Sequence, residues 1–464
     1  MISYHTFTNG LSIMYRQQTG LVSYAGIVVR CGSRDETEKL FGMAHFIEHT
    51  AFKGGGKYNA RQIIDKIEGV GGEMNAFTTK EETTFYATVP TQYLGRAIDI
   101  LADITLSPTF PKDEINKERS VIYDEIDSYN DSPSELIFDD FEALIYDTHP
   151  LAHSILGSPK TLRWFNTEKA QQFHSEHYQP HKMIMFVGSD LPFDKVLKMI
   201  EKTGLSAIHN SQFTIHNSQF YPHPELVSGS HTPRSALVSG SHTPRSALVS
   251  ESHTPHPELV SGSHTPHPEL VSGSHDTNYS YHPSEQAFHK HTHQAHVMLG
   301  IPAFSLFDKQ RDAMAVLNAI VAGGSMNSRL NLALRERLGL VYQVESQYVP
   351  FSDTGYWSVY FASEPHDVGR CLKTIFSELK KLRDKPLSEK TFKAYQRQMK
   401  GQLLLAAENT ESYILQLSKQ MLYFGQVQDI SEQTKSIDSL TAEQIWQLSQ
   451  QMFDFANFSI LRYE

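Results

Sequence analysis

Phe41-Gly42-Met43-Ala44-His45-Phe46-Ile47-Glu48-His49-Thr50-Ala51-Phe52 is the stretch on which the reading of this chain turns. Apolar residues surround three chemistry-bearing side chains in the order H-x-x-E-H. On a helix, His45 and His49 lie four apart and face the same way. Two imidazoles so placed can grip one metal ion, and Glu48 projects beside the same patch. A lone histidine on an apolar helix face is most often a satisfied core residue. The set of three is what points to a metal.

H-x-x-E-H is the inverted order of the H-E-x-x-H helix of zinc peptidases. A catalytic zinc takes three protein ligands and keeps a fourth position for water, so a further ligand is expected. The segment Pro111 to Ile126 reads as a helix, with Pro111 in its first turn and Asp113 and Glu114 at the positive N-terminal end. Ile115, Glu118, Ile122 and Glu125 follow a three-then-four spacing and share one face. Two carboxylates therefore lie on a stripe that also carries isoleucines. An unpaired buried carboxylate costs several kcal/mol, on the order of the effective penalty per buried ion, and a cation removes that penalty. Glu125 is assigned as the third ligand, and Glu118 as the carboxylate that orients the site.

On these residues the chain resembles the pitrilysin family of zinc peptidases, which includes insulysin and the mitochondrial processing peptidase. The resemblance continues through Gly71-Gly72-Glu73-Met74-Asn75-Ala76-Phe77-Thr78. It implies that Asn75, Ala76 and Phe77 form an edge strand on which substrate is added as a further strand. The composition agrees, since Asn75 to Val89 is rich in Thr, Phe, Tyr and Val. A second match runs from Gly323-Gly324-Ser325 to Arg335-Glu336-Arg337-Leu338-Gly339-Leu340-Val341-Tyr342. By this resemblance Arg335 and Tyr342 hold the substrate carbonyl and the developing oxyanion.

Length and composition bound the remaining classes. The 464 residues suffice for two or more domains, and a net charge of -11 argues against a nucleic-acid binder. The two cysteines, Cys31 and Cys371, give neither a disulfide framework nor a cysteine metal site, and fit a reducing compartment. The first residues run directly into strand-like sequence around an Asn9-Gly10 turn. No leader pattern and no membrane-spanning apolar run is legible. A cytoplasmic protein without membrane contact is expected.

The chain reads as one fold used twice. The order strand, Gly95-Arg96-Ala97 helix, Pro111 recurs as strand, Gly369-Arg370-Cys371 helix, Pro386. Aligning the two prolines sets Lys393 opposite Glu118 and Lys400 opposite Glu125, and the second half has no H-x-x-E-H. One copy keeps the metal and the other has lost it. Period-two strands mix with amphipathic helices such as Tyr93 to Leu106 and Val368 to Leu382. The fold class is therefore α+β: two homologous domains, each a mostly antiparallel sheet with packed helices. The resemblance implies that the pair forms a clamshell. The expected boundaries are a catalytic domain at 1–206, a low-complexity segment at 207–286 and a metal-free domain at 287–464.

Within that middle segment Leu226, Leu237, Leu248, Leu259 and Leu270 recur every eleven residues, and His231, His242, His253, His264 and His275 keep the same step. A Pro in every unit rules out a coiled coil, and the Ser, Pro, His, Thr and Gly composition is that of a solvated, disordered linker. His174-Ser175-Glu176-His177 reads as a helix end with positive side chains near the dipole. His149-Pro150 and Gly157 resemble a family loop near the site and are given no chemistry.

Together these readings describe a zinc-dependent endopeptidase with one zinc per chain, held by His45, His49 and Glu125, with Glu48 as general base. By family resemblance its partners are peptides or unfolded segments, together with a second copy or a related chain in a dimer. The competing readings are a non-catalytic peptide-binding or scaffold paralogue, and an enzyme disabled by the repeat between its halves.

Overall fold

A computed structural model describes residues 2–206, 281–290 and 292–464; the eleven-residue repeat lies outside the described residues. The Asn9-Gly10 turn folds β1 (Ile2–Thr6) back on β2 (Ser12–Gln17). Gly10 has φ +90°, and a Cβ there would lie 2.8 Å from the Cβ of His181, so glycine is required on both counts. β3 (Val22–Val29), β4 (Glu73–Thr78), β5 (Thr83–Pro90) and β6 (Met183–Ser189) complete the first sheet. Its order is β1-β2-β6-β3-β5-β4, antiparallel throughout except for the β2–β6 pair.

The helices of this half are α1 (Met43–Ala51), α2 (Ala60–Ile67), α3 (Leu94–Leu106), α4 (Lys112–Asn130), α5 (Pro133–Tyr146), α6 (Pro159–Leu162), α7 (Thr167–His177) and α8 (Phe193–Glu201). α3 packs on β3 and β5, and α1 on β4 and β5. The expected helix beginning near Pro111 is α4, and the Thr-, Phe- and Tyr-rich run from Asn75 is the β4–β5 hairpin.

The second sheet consists of β7 (Glu285–Phe288), β8 (Ala295–Ala303), β9 (Val341–Pro350), β10 (Gly355–Ser363) and β11 (Ser459–Tyr463), in the order β7-β11-β8-β10-β9. Only β7–β11 is parallel. Replacing β2 to β6 by β7 to β11 in chain order reproduces the order of the first sheet. The duplication read from the sequence is thus a duplication of topology, with β1 as an extra strand.

The helices that follow are α9 (Arg311–Val321), α10 (Val368–Asp384), α11 (Glu389–Glu408), α12 (Thr410–Phe424), α13 (Ile430–Ser439) and α14 (Ala442–Met452). β10 is buried along its whole length, and its alternation explains why. Trp357, Val359 and Phe361 face a core with residues of α9, α10, α11, α13 and α14. Tyr356, Tyr360 and Ala362 face a second core with Ile137, Phe138, Phe141 and Ile145 of α5. A strand covered on both faces reads as a continuous apolar run.

The described residues form two compact units that interleave in sequence. One lies within Met1–Asp124, Ser154–Pro233 and Ile414–Val427, and the other within Glu125–His153, Arg234–Tyr413 and Gln428–Glu464. Each unit therefore takes a helical segment from the opposite half of the chain. α5 belongs with the second sheet through its apolar face and through Tyr356 and Tyr463, whose hydroxyls donate to Glu142 at 3.0 Å and Asp140 at 2.5 Å. The later turns of α12 belong with the first sheet. Ile414 reaches Gly188 of β6, where a Cβ would lie 2.6 Å from its Cδ1. Lys419 pairs with Glu82 at 2.7 Å, and the Tyr423 hydroxyl donates to the same carboxylate.

Candidate metal centre

α1 is buried along almost its whole length; of its nine residues only His49 is more than marginally exposed. Its start is built from outside. Gly42, the residue before its first turn, has φ +97°, and a Cβ there would lie 2.8 Å from the Leu156 carbonyl and 2.9 Å from Gly157 Cα. Gly157 returns the constraint, because its own Cβ would lie 2.2 Å from the Phe41 carbonyl. Gly157 thus permits a close approach that seats the helix carrying His45 and His49. Glu36 accepts from the backbone N–H groups of Gly42 and Ala44, each at 2.7 Å. A carboxylate there satisfies donors that α1 cannot satisfy itself and suits the positive end of the helix. Burial pushes the Glu36 carboxyl well up, opposed by those two N–H groups and Lys80. The sequence reading missed Glu36; an acidic residue shortly before the helix was the available signal.

His45 and His49 stand side by side with ring centroids 4.5 Å apart. Burial, then the neighbouring His49, holds the His45 imidazole well below its usual pKa. The neutral imidazole is the form that ligates a metal. Glu125 lies on the last turns of α4, one continuous helix, on the stripe begun by Ile115, Glu118 and Ile122. Single ligand atoms from His45, His49 and Glu125 all lie within 4.8 Å of one another. Two imidazole nitrogens and one carboxylate oxygen are the donor set of known catalytic zinc sites. The residues therefore fit zinc by both donor chemistry and proximity. Among the described residues this is the only such group.

Glu118 lies against His49. Its Oε2 lies 3.2 Å from His49 Nδ1, and its Oε1 accepts from Lys53 Nζ at 2.8 Å. Burial raises the Glu118 pKa, but the His49 and Lys53 contacts outweigh it and hold the carboxyl below its usual range. With Nδ1 engaged by Glu118, Nε2 is the nitrogen that would be left to ligate a metal. Lys53, just past the end of α1, is a second residue that the sequence reading missed. In the other half, α11 stands where α4 does, and Lys400 at the position matched to Glu125 bonds Asp438 at 2.7 and 2.8 Å.

β4 is the edge of its sheet and pairs with β5 alone among the described strands. Asn75 is exposed, whereas Ala76 and Phe77 are buried. The Ala76 N–H donates to Asn75 Oδ1 at 2.8 Å, and the Phe77 ring lies under Lys419 Nζ at 5.6 Å. Thr78, the last residue of β4, donates its hydroxyl to Glu48 Oε2 at 2.7 Å. Edge strand and candidate base are thus in direct contact. Arg335 lies exposed on a π-helical turn (Asn331–Arg337), and Tyr342, the second residue of β9, is 84% exposed; both belong to the second unit.

One expectation needs correction. His174 lies in the last turn of α7, but it carries no positive charge near neutral pH. Burial lowers its pKa to about 4, against the opposing bond to the Thr105 carbonyl at 2.8 Å. It is a half-buried, hydrogen-bonded histidine; its packing outweighs the attraction of the helix end.

The fold is a paired-sheet topology used twice, and His45, His49 and Glu125 are the group among the described residues that could hold a metal ion. Residues 12–159 match the family described as insulinase (peptidase family M16), and residues 251–399 match the peptidase M16 inactive domain. The chain belongs to this family. It is 28% identical over 454 residues to the uncharacterized zinc protease YmxG of Bacillus subtilis, covering 98% of this chain and 96% of that protein. It is also 28% identical over 449 residues to an uncharacterized zinc protease of Rickettsia felis, covering 96% and 93%. The fold is similar to that of a protease from Helicobacter pylori, with TM-score 0.79, 18% identity and coverage of 100% and 99%. It also resembles a peptidase M16 inactive domain structure from Pseudomonas fluorescens, with TM-score 0.76, 15% identity and coverage of 100% and 97%. Among the described residues no helix is long and apolar enough to cross a membrane.

Proposed function

We propose that the chain is a zinc-dependent endopeptidase acting on peptides or unfolded segments. The observation that carries this reading is the convergence of His45, His49 and Glu125 ligand atoms within 4.8 Å, with Glu48 on the same helix as the two histidines. A bound zinc would act as a Lewis acid, polarising the scissile carbonyl and acidifying the attacking water.

The protein's own groups do the rest. Glu118 holds His49 through Nδ1 and keeps its ring oriented. Glu48 takes the proton of the attacking water and returns it to the leaving amine. The peptide adds to the open edge of β4 at Asn75 to Phe77, with main-chain bonds fixing its register. For that, the Ala76 N–H must exchange its Asn75 partner for a substrate carbonyl. Arg335 and Tyr342 are assigned to the developing oxyanion, where oriented donors contribute most. The cytoplasm suits the two cysteines, both buried thiols. A homodimer, or a heterodimer with a related chain, is proposed as the assembly.

The purified chain should carry about one zinc, as a three-ligand catalytic site requires, and cleave a quenched fluorescent peptide until a chelator is added. Glu48→Gln should keep the zinc and lose cleavage by ~100-fold or more; Glu125→Gln should lose the zinc. A wild-type chain that binds zinc and peptide without cleaving is a scaffold, and the peptidase reading then fails.

A further inference from the structure

Thr78 stands at a junction that the motif alone does not reveal. Its side chain is fully buried, and its hydroxyl donates to Glu48 Oε2 at 2.7 Å. Its cross-strand partner is Thr83, whose hydroxyl lies 3.4 Å away. The Thr83 hydroxyl donates to the Cys31 carbonyl at 2.9 Å. Its proton is therefore committed elsewhere, and the Thr78 proton is directed at the carboxylate. A hydrogen bond to a charged acceptor is about twice as strong as a neutral one.

The turn that follows it, Thr79 to Glu82, is held from three sides. Ser33 and Arg34 donate backbone N–H groups to the Thr79 and Lys80 carbonyls at 3.1 and 2.9 Å. Arg34 pairs with Glu81 at 2.5 Å. Gly32 lies so close that a Cβ would fall 2.4 Å from Glu81 N. Lys419 and Tyr423 of α12 grip Glu82. Threonine is also β-branched, with few side-chain rotamers to choose from. A hydroxyl on such a strand is a fixed point, whereas glutamate has three rotatable bonds.

We propose that Thr78 is a positioning residue for Glu48, and that β4 thereby ties the register of the bound peptide to the orientation of the base. The inference rests on the peptidase reading for its functional meaning. Asn75 to Phe77 and Thr78 belong to one six-residue strand with continuous pairing to β5. A peptide seated on the edge is therefore placed by the same rigid element that sets the carboxylate. Specificity of position, rather than affinity for zinc or peptide, is what Thr78 contributes.

The test uses the full chain with Thr78→Val, which removes the hydroxyl at nearly constant shape, and Thr78→Ser, which keeps it. Thr78→Val should lower kcat about 10–100-fold, the range for partners that orient active-site groups, with KM little changed. Thr78→Ser should restore most of kcat. Zinc affinity by chelator competition should match the wild type in both. Peptide affinity should be the same in Glu48→Gln with and without Thr78→Val. Crystal structures give a readout independent of turnover: one Glu48 orientation in the wild type and in Thr78→Ser, and a displaced or split carboxylate in Thr78→Val. An unmoved Glu48 in Thr78→Val overturns the proposal, as does a change in KM alone or a Ser variant no better than Val. If the wild type cleaves nothing while Glu48 still moves in Thr78→Val, the positioning contact stands and the peptidase reading falls.

Discussion

Replacing Glu118 by Gln removes one charge and changes almost nothing in shape, and the structure fixes what that change must do. The carboxylate serves two donors at once, His49 Nδ1 through Oε2 at 3.2 Å and Lys53 Nζ through Oε1 at 2.8 Å. An amide has only one oxygen. If that oxygen faces His49, the amide NH2 opposes the Lys53 ammonium; if it faces Lys53, NH2 opposes the His49 N–H. Either orientation leaves two donors facing each other at a site only 5% exposed. Losing a partner of this kind costs about 10–100-fold in metal affinity, or roughly 1.4–2.7 kcal/mol, and the forced conflict places Glu118→Gln in the upper part of that range. Adding Lys53→Met removes the competing donor, lets the amide oxygen turn to His49, and should recover part of the loss, so the two substitutions are non-additive. The assay is zinc competition against a chromophoric chelator near neutral pH, with circular dichroism of the metal-free protein as the folding control. Zinc affinity within about 3-fold of wild type in Glu118→Gln, well short of the expected range, would show that His49 does not depend on this carboxylate.

Two further outcomes follow from groups away from the candidate metal centre. His174 has a folded-state pKa lowered to about 4 against an ordinary 6.5. Below 6.5 the unfolded chain takes up a proton that the folded chain refuses, so stability is lost as pH falls, by ~3 kcal/mol once the pH reaches the folded value. His174→Phe should lose that much less stability than wild type in urea unfolding of the metal-free protein between pH 7 and pH 4; equal pH dependence in the two would contradict the buried neutral assignment. Lys419→Met strips Glu82 of the ammonium that pairs with it in the first unit, at a pair whose side chains are 15% and 7% exposed. Breaking such a pair costs about 3–5 kcal/mol, so the thermal midpoint should fall, and the double variant Lys419→Met/Glu82→Leu should regain most of it; an unchanged midpoint in the single variant would show that α12 does not anchor the β4–β5 hairpin.

The candidate metal ligands were legible in the chain because helical periodicity is local. His45 and His49 on α1, and Glu118 and Glu125 on α4, needed only 3.6-residue spacing and the cost of burying charge to be grouped by face. The duplication was legible for the same reason, since strand and helix signals recur in one order. The partners that hold these groups were not legible, because periodicity does not say which side chains, near or far in the chain, the fold brings against α1. Gly157 seats the start of α1, Glu36 satisfies its first N–H groups, and Lys53 shares Glu118 with His49.

The sequence by itself determined two copies of an α+β fold and the donor chemistry of one site. Only the tertiary structure decided which helix joins which sheet, that His174 is a neutral, half-buried residue, and that Thr78 faces Glu48. Periodicity records the face a residue shares with its chain neighbours. Which surface that face meets depends on the packing of segments far apart in sequence, and that exists only once the chain has folded.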